Sequence, residues 1–136
     1  MAKIEGGCLC RNIRYTSEAE PLATVLCHCV NCQKQSGGAY SLNLVMPKGS
    51  LNIQGEMTTY VDTGDSGNPL DRNFCGRCGS VITSEPSAID TITVLKAGSL
   101  DDTSWIKPVM EIYCDSAQPW TREHVEMQSH PKMMPS

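Results

Sequence analysis

Apolar and polar positions alternate in short runs along this chain, and each run predicts a strand. Asn12-Ile13-Arg14-Tyr15-Thr16 puts Ile13 and Tyr15 on one face, as a half-buried strand does. Tyr40 to Met46 alternates in the same way and stops at Pro47. Leu22 to Leu26, Ser50 to Gln54, Thr58 to Asp62 and Val109 to Cys114 read as further strands, while Asn73-Phe74 leads into the Cys75–Cys78 turn and Ser80 to Thr83 leads out of it. Asp90 to Lys96 is the most β-branched stretch. Turn chemistry separates these runs at Gly37-Gly38, Pro47-Lys48-Gly49, Gly64 to Pro69 and Glu85-Pro86. Helix is sparse. Val30 to Ser36 predicts one or two turns stopped by Gly37, and Asp101 to Trp105 predicts a short helix capped by an Asp. The pattern is that of a mostly β single domain over residues 1–120, followed by a polar tail over 121–136.

With 136 residues the chain has room for one modest core. Only 5% of residues are aromatic, with a single Phe, so rings do not supply most of that core. The formal charge of −4 argues against nucleic acid and anionic membranes as partners. No apolar run approaches the roughly 20 residues of a spanning helix, and Met1 to Glu5 has no apolar signal region. The default expectation is a cytoplasmic protein.

Eight cysteines change the picture. In a reducing compartment they predict metal rather than disulfides. Seven fall into three tight groups: Cys8 with Cys10; Cys27, Cys29 and Cys32; and Cys75 with Cys78. A C-x-x-C turn brings two sulfurs to one side of a loop, within reach of one ion at about 2.3 Å. Sulfur ligands favour zinc over magnesium or calcium, although spacing does not separate zinc from iron. The economical partition puts Cys8, Cys10, Cys75 and Cys78 on one closed, structural zinc. Cys27, Cys29 and Cys32 then hold a second zinc with a vacant fourth position, the arrangement of a catalytic ion. Against this stands a closed second site, with Cys114 or His28 as fourth ligand. His28 lies between two ligands, which turns its side chain away, and Cys114 reads equally well as a free thiol. Seven thiolates and two Zn²⁺ make the chain more acidic still, which disfavours a zinc-ribbon nucleic-acid binder.

Gly6-Gly7-Cys8-Leu9-Cys10, Ile13-Arg14-Tyr15, Cys27-His28-Cys29 with Cys32-Gln33-Lys34, and Phe74-Cys75 with Cys78-Gly79-Ser80 together resemble the glutathione-dependent formaldehyde-activating enzyme family. Ala97 to Asp102 and Pro108 to Trp120 are similar to it as well. The resemblance implies several small antiparallel sheets around zinc, similar to a zinc-binding chaperone of Rab GTPases. It implies structural zinc at Cys8, Cys10, Cys75 and Cys78, and catalytic zinc at Cys27, Cys29 and Cys32. The implied activity is that of a carbon–sulfur lyase acting on a thiol adduct, as in joining formaldehyde to glutathione. The alternative is a zinc-stabilised module that binds a protein without catalysis. The sequence departs from the family at Arg11, where many relatives carry Gly, and at Glu111, where others often have His. Its implied partner is a small thiol or thiol adduct, glutathione among them. For an anionic thiol, Lys34 and Arg72 are the candidate cations. His28 is a candidate proton carrier, while Phe74, Tyr40, Trp105 and Trp120 read first as packing residues.

Overall fold

A computed structural model describes residues 3–64, 66–123 and 125–134. Asp65 in the predicted turn, His124 and the last two residues of the tail, and Met1 and Ala2 lie outside the described residues. Among the described residues, ten strands and one α-helix follow in order: β1 (Ile4–Gly7), β2 (Arg14–Ser17), β3 (Ala23–Cys27), α1 (Val30–Ser36), β4 (Ser41–Pro47), β5 (Asn52–Gln54), β6 (Thr58–Asp62), β7 (Leu70–Phe74), β8 (Val81–Pro86), β9 (Ile92–Lys96) and β10 (Met110–Ile112). The mostly β expectation holds. The strands form two sheets: a small one in the order β1-β2-β5, and a seven-stranded one in the order β10-β3-β4-β9-β8-β7-β6. All pairings are antiparallel except β10 with β3.

Period two decides which side chains meet. From β4, Leu42, Leu44 and Met46 point to the face that packs on the small sheet. There they join Ile4, Ile13, Tyr15, Ile82 and Leu95 in one core. Each fully buried aliphatic side chain contributes about 1.5–3 kcal/mol. Ser41 and Asn43 point to the opposite face, in register with Cys27 on β3 and Lys96 on β9. Alternation alone would give that face to solvent, yet Ser41 and Asn43 are buried. This second, polar interior is where one cysteine group sits.

Helix α1 forms where expected. Cys29 is its N-cap, and Gly37 ends it in the left-handed conformation at φ 74°. The helix predicted over Asp101 to Trp105 does not form. Asp102 Oδ1 instead accepts hydrogen bonds from the Ser104 N–H and hydroxyl, closing an isolated turn. Its neighbour Asp101 pairs with Arg14. Two strands escape the sequence reading: β1, which glycine-rich Ile4–Gly7 does not advertise, and β7, of which only Asn73 and Phe74 were noted, as the lead into the cysteine knuckle. Residues 125–134 are exposed and carry neither helix nor strand. Among the described residues no helix is long and apolar enough to cross a membrane.

Arg11 stands at φ 69°, in the left-handed region that costs an L-residue roughly 1–2 kcal/mol. Arg11→Gly is therefore expected to raise stability by about 1 kcal/mol, read as a shifted denaturant midpoint of the zinc-loaded protein.

Candidate metal centres and active site

The first cluster is assembled by two tight turns. Cys8 to Ile13 closes on itself: the Cys8 N–H donates to the Ile13 carbonyl, the Arg11 N–H to the Cys8 carbonyl, and the Ile13 N–H to the Cys8 sulfur. Cys75 to Ser80 does the same, with the Gly79 N–H on the Cys75 carbonyl and the Cys75 N–H on the Ser80 carbonyl. Gly79 at φ 80° makes that reversal available. A register shift between Asn73 and Phe74, against Thr83 and Val81, turns the chain from β7 into this knuckle. The Leu9 N–H donates to Ser80 Oγ and ties the two turns together. As a result the sulfurs of Cys8, Cys10, Cys75 and Cys78 lie within 4.8 Å of one another. The Cys8–Cys10 separation is 3.6 Å and the Cys10–Cys75 separation 3.7 Å. A tetrahedral zinc with bonds of about 2.3 Å needs sulfurs about 3.8 Å apart. The donor set and its spacing therefore fit zinc.

The second cluster lies on the polar face of the large sheet. Cys27 ends β3, Cys29 caps α1 with its sulfur accepting from the Cys32 N–H, and Cys32 sits in the first turn. Their three sulfurs also lie within 4.8 Å of one another. Neither candidate fourth ligand joins them. The thiol of Cys114 is exposed and lies beside Arg122. His28 is buried, its Nε2 sits 2.9 Å from Glu111, and its ring packs edge-on to Tyr40. Glu111 itself is held below the usual carboxylate range, first by His28 and then by Arg122.

Charge gathers at this second cluster. Arg72 is buried, and its Nε donates to Asp62 at 2.8 Å. Asp62 also accepts from Asn31 on α1. Burial alone would push the Asp62 carboxyl up, but the hydrogen bonds from Arg72, Asn31 and the Gly64 N–H hold it down. The Arg72 guanidinium lies against Cys32. Lys96 is also buried and donates to Asn43 Oδ1 at 2.8 Å. Burial pushes its ammonium down, and the negative charge on Cys32 pulls it back up. The Cys32 thiol is lowered to about 4. The hydrogen bond with Cys27 is the main cause; burial opposes it, and the Ser41 hydroxyl, the Lys96 charge and Cys29 assist. Cys27 moves up, first through that same shared bond and then through burial. The trio thus carries negative charge between two cations. A metal would take the remaining protons from the other two thiols.

A C-terminal strap runs along the edge of the sheet beside this cluster. β10 pairs with β3 so that Ile112 lies opposite Cys27, and the His28 N–H donates to the Ile112 carbonyl. Gln33 on α1 fastens the strap, its Nε2 donating to the carbonyls of His28 and Ser116 while its Oε1 accepts from Gln118.

Of the two candidate cations, the fold brings Arg72 to the cysteines and leaves Lys34 exposed on the last turn of α1. Lys96, Asp62, Ser41 and Asn43 escaped the sequence reading. For Ser41, Asn43 and Lys96 the only signal is strand periodicity, which puts them on the face of Cys27 once the register is known; Asp62, on β6, is tied to the site through Arg72 and Asn31. Phe74 is half-buried at the end of β7. Trp105 lines a surface hollow with Ile4 and Leu100, and Trp120 is 60% exposed, so neither is a deep packing anchor.

No curated protein sequence matches the chain. A crystal structure of a Rhodobacter sphaeroides protein, a structural-genomics target, is similar in fold: TM-score 0.58 at 17% identity, covering 79% of this chain and 98% of that one. The family profile described as glutathione-dependent formaldehyde-activating enzyme matches residues 3–116. That span takes in all three cysteine groups, both turns of the first cluster and the start of the strap beside the second. The chain belongs to the glutathione-dependent formaldehyde-activating enzyme family.

Proposed function

We propose that this protein is a zinc-dependent carbon–sulfur lyase acting on the adduct of a thiol with a small aldehyde, S-hydroxymethylglutathione being the first compound to test. The observation that carries this reading is the trio of Cys27, Cys29 and Cys32: three converging sulfurs with no fourth ligand beside them among the described residues. Cys8, Cys10, Cys75 and Cys78 would hold a closed, structural zinc, and the trio a second zinc with one free position. An ion held in this way supplies a place where an incoming thiol loses its proton and stays nucleophilic. The chain's own residues do the rest. Lys96 offsets the negative charge that gathers around the sulfurs, while Arg72, paired with Asp62, lies against Cys32. The strap, fastened by Gln33, borders the Cys27 side of the trio. Adding a thiol to formaldehyde forms one carbon–sulfur bond and moves one proton to the aldehyde oxygen; the reverse reaction breaks that bond.

The test is turnover of S-hydroxymethylglutathione and of a panel of other thiol–aldehyde adducts by the two-zinc protein. Zinc-dependent release or formation of at least one adduct is the expected result. Inertness toward the whole panel, with both zincs slow to exchange, would favour the binding module instead.

A further inference from the structure

Lys96 poses a charge problem. Its side chain is only 5% exposed, and its Nζ reaches one side-chain partner, the neutral amide oxygen of Asn43 at 2.8 Å. Among the described residues no carboxylate lies within ion-pair distance of it. A buried ammonium without an anion is strongly unfavourable. Arg72 has no such problem, because Asp62 already matches its charge. The groups that share its buried face are Asn43, Ser41 and, opposite Ser41, Cys27 of the trio, and the trio's sulfurs are the anions that act on it.

Resting on the proposed function above, we infer that Lys96 is the counter-cation of the three-cysteine centre, a positioning residue that makes the second metal bind. The charge count supports this. One Zn²⁺ with three thiolates carries a charge of about −1. The Arg72–Asp62 pair is neutral, so Lys96 brings the loaded centre to zero. Without the metal, nothing holds three thiolates together beside this lysine. Lysine and metal–thiolate centre therefore depend on each other. Asn43 sets the lysine in place: its Nδ2 donates to Ser41 Oγ and to the carbonyls of Val25 and Ser41, which leaves its Oδ1 as the acceptor turned toward Nζ. Register does the remainder, with Lys96 opposite Asn43 and Cys27 opposite Ser41 on the same face. A thiol that enters as thiolate meets a neutral centre with a cation beside it rather than a net anion. Anionic sulfur is thus the ligand class this centre accepts.

The experiment titrates zinc, and cobalt as its spectroscopic stand-in, into the wild type, Lys96→Met, Lys96→Arg and Asn43→Asp against a chromophoric chelator. The first metal should bind all four proteins alike, which also reports folding. Lys96→Met should weaken the second metal by about 10- to 100-fold, the range seen when groups behind a metal ligand are removed. Lys96→Arg should stay close to wild type, because the charge is kept. Asn43→Asp gives Lys96 a carboxylate of its own and draws its charge away from the sulfurs, so it too should weaken the second metal. The melting temperature of the one-metal form should not fall in Lys96→Met, whereas that of the two-metal form should. Unchanged second-metal affinity in Lys96→Met, or an equal loss of melting temperature in both forms, overturns the inference. So does an Asn43→Asp protein that binds the second metal as well as wild type. A wild type that takes up only one metal overturns the proposed function as well; a wild type that takes up two, with variants that match it, overturns the role of Lys96 alone.

Discussion

Cys75→Ser is expected to leave no cooperative unfolding transition even in excess zinc. Cys75 is fully buried and is one of four sulfurs at the spacing of a tetrahedral zinc. Serine removes one ligand and leaves a hydroxyl facing three thiols. The cluster joins the turn after β1 to the knuckle between β7 and β8, closing a loop of more than sixty residues from Cys10 to Cys75. Structural zinc binding contributes about 10–16 kcal/mol in small zinc domains, against a net stability of about 5–15 kcal/mol for a whole domain. Losing most of that term exceeds what the core can make up. Circular dichroism melts of the purified variant check it. A transition within a few degrees of wild type would show that the sheets hold together without this ion.

The opposite outcome is expected of Cys29→Ser. Cys29 is the N-cap of α1, and its sulfur accepts from the Cys32 N–H. Serine is among the best N-cap residues, so the helix start is kept while a metal ligand is lost. The variant should fold, retain one zinc and melt within a few degrees of wild type. Its turnover of any adduct that the wild type processes should fall by at least about 100-fold, since losing a ligand costs no less than losing a group behind one. Turnover within a factor of a few of wild type would remove the trio from the chemistry. Unfolding as complete as that of Cys75→Ser would make the second cluster structural and favour the binding-module reading.

The two clusters differed in how far the sequence exposed them. Their members were legible because one or two residues between cysteines is a local geometry set by one turn of chain; joining Cys8 and Cys10 to Cys75 and Cys78 took ligand counting, since that convergence is tertiary. Most strands were legible for the same reason, since alternation over five to seven residues is local. Strand β1 was not, because Gly6 and Gly7 interrupt any alternation. Gly6 is required by a distant contact: a side chain there would collide with the Tyr15 hydroxyl and the Ser99 carbonyl. The surroundings of the trio were hidden more deeply. Ser41 and Asn43 look like the solvent-facing half of β4, and Lys96 like a strand terminus in water. Only the strand order β3-β4-β9, with α1 packed against β4, turns that row inward. Lys34 misled for a related reason: nearness in sequence to Cys32 is not nearness to its sulfur when the helix turns the side chain outward.

The central claim is that three sulfurs hold a metal whose fourth position accepts a thiol. Zinc-edge X-ray absorption on the two-zinc protein, with and without a saturating small thiol, tests it most directly. The account predicts seven sulfurs shared by two zincs in the free protein and one further sulfur on zinc when the thiol is present. Two fully sulfur- or nitrogen-saturated zincs that do not respond to the thiol, or a chain that takes up a single zinc, would contradict it.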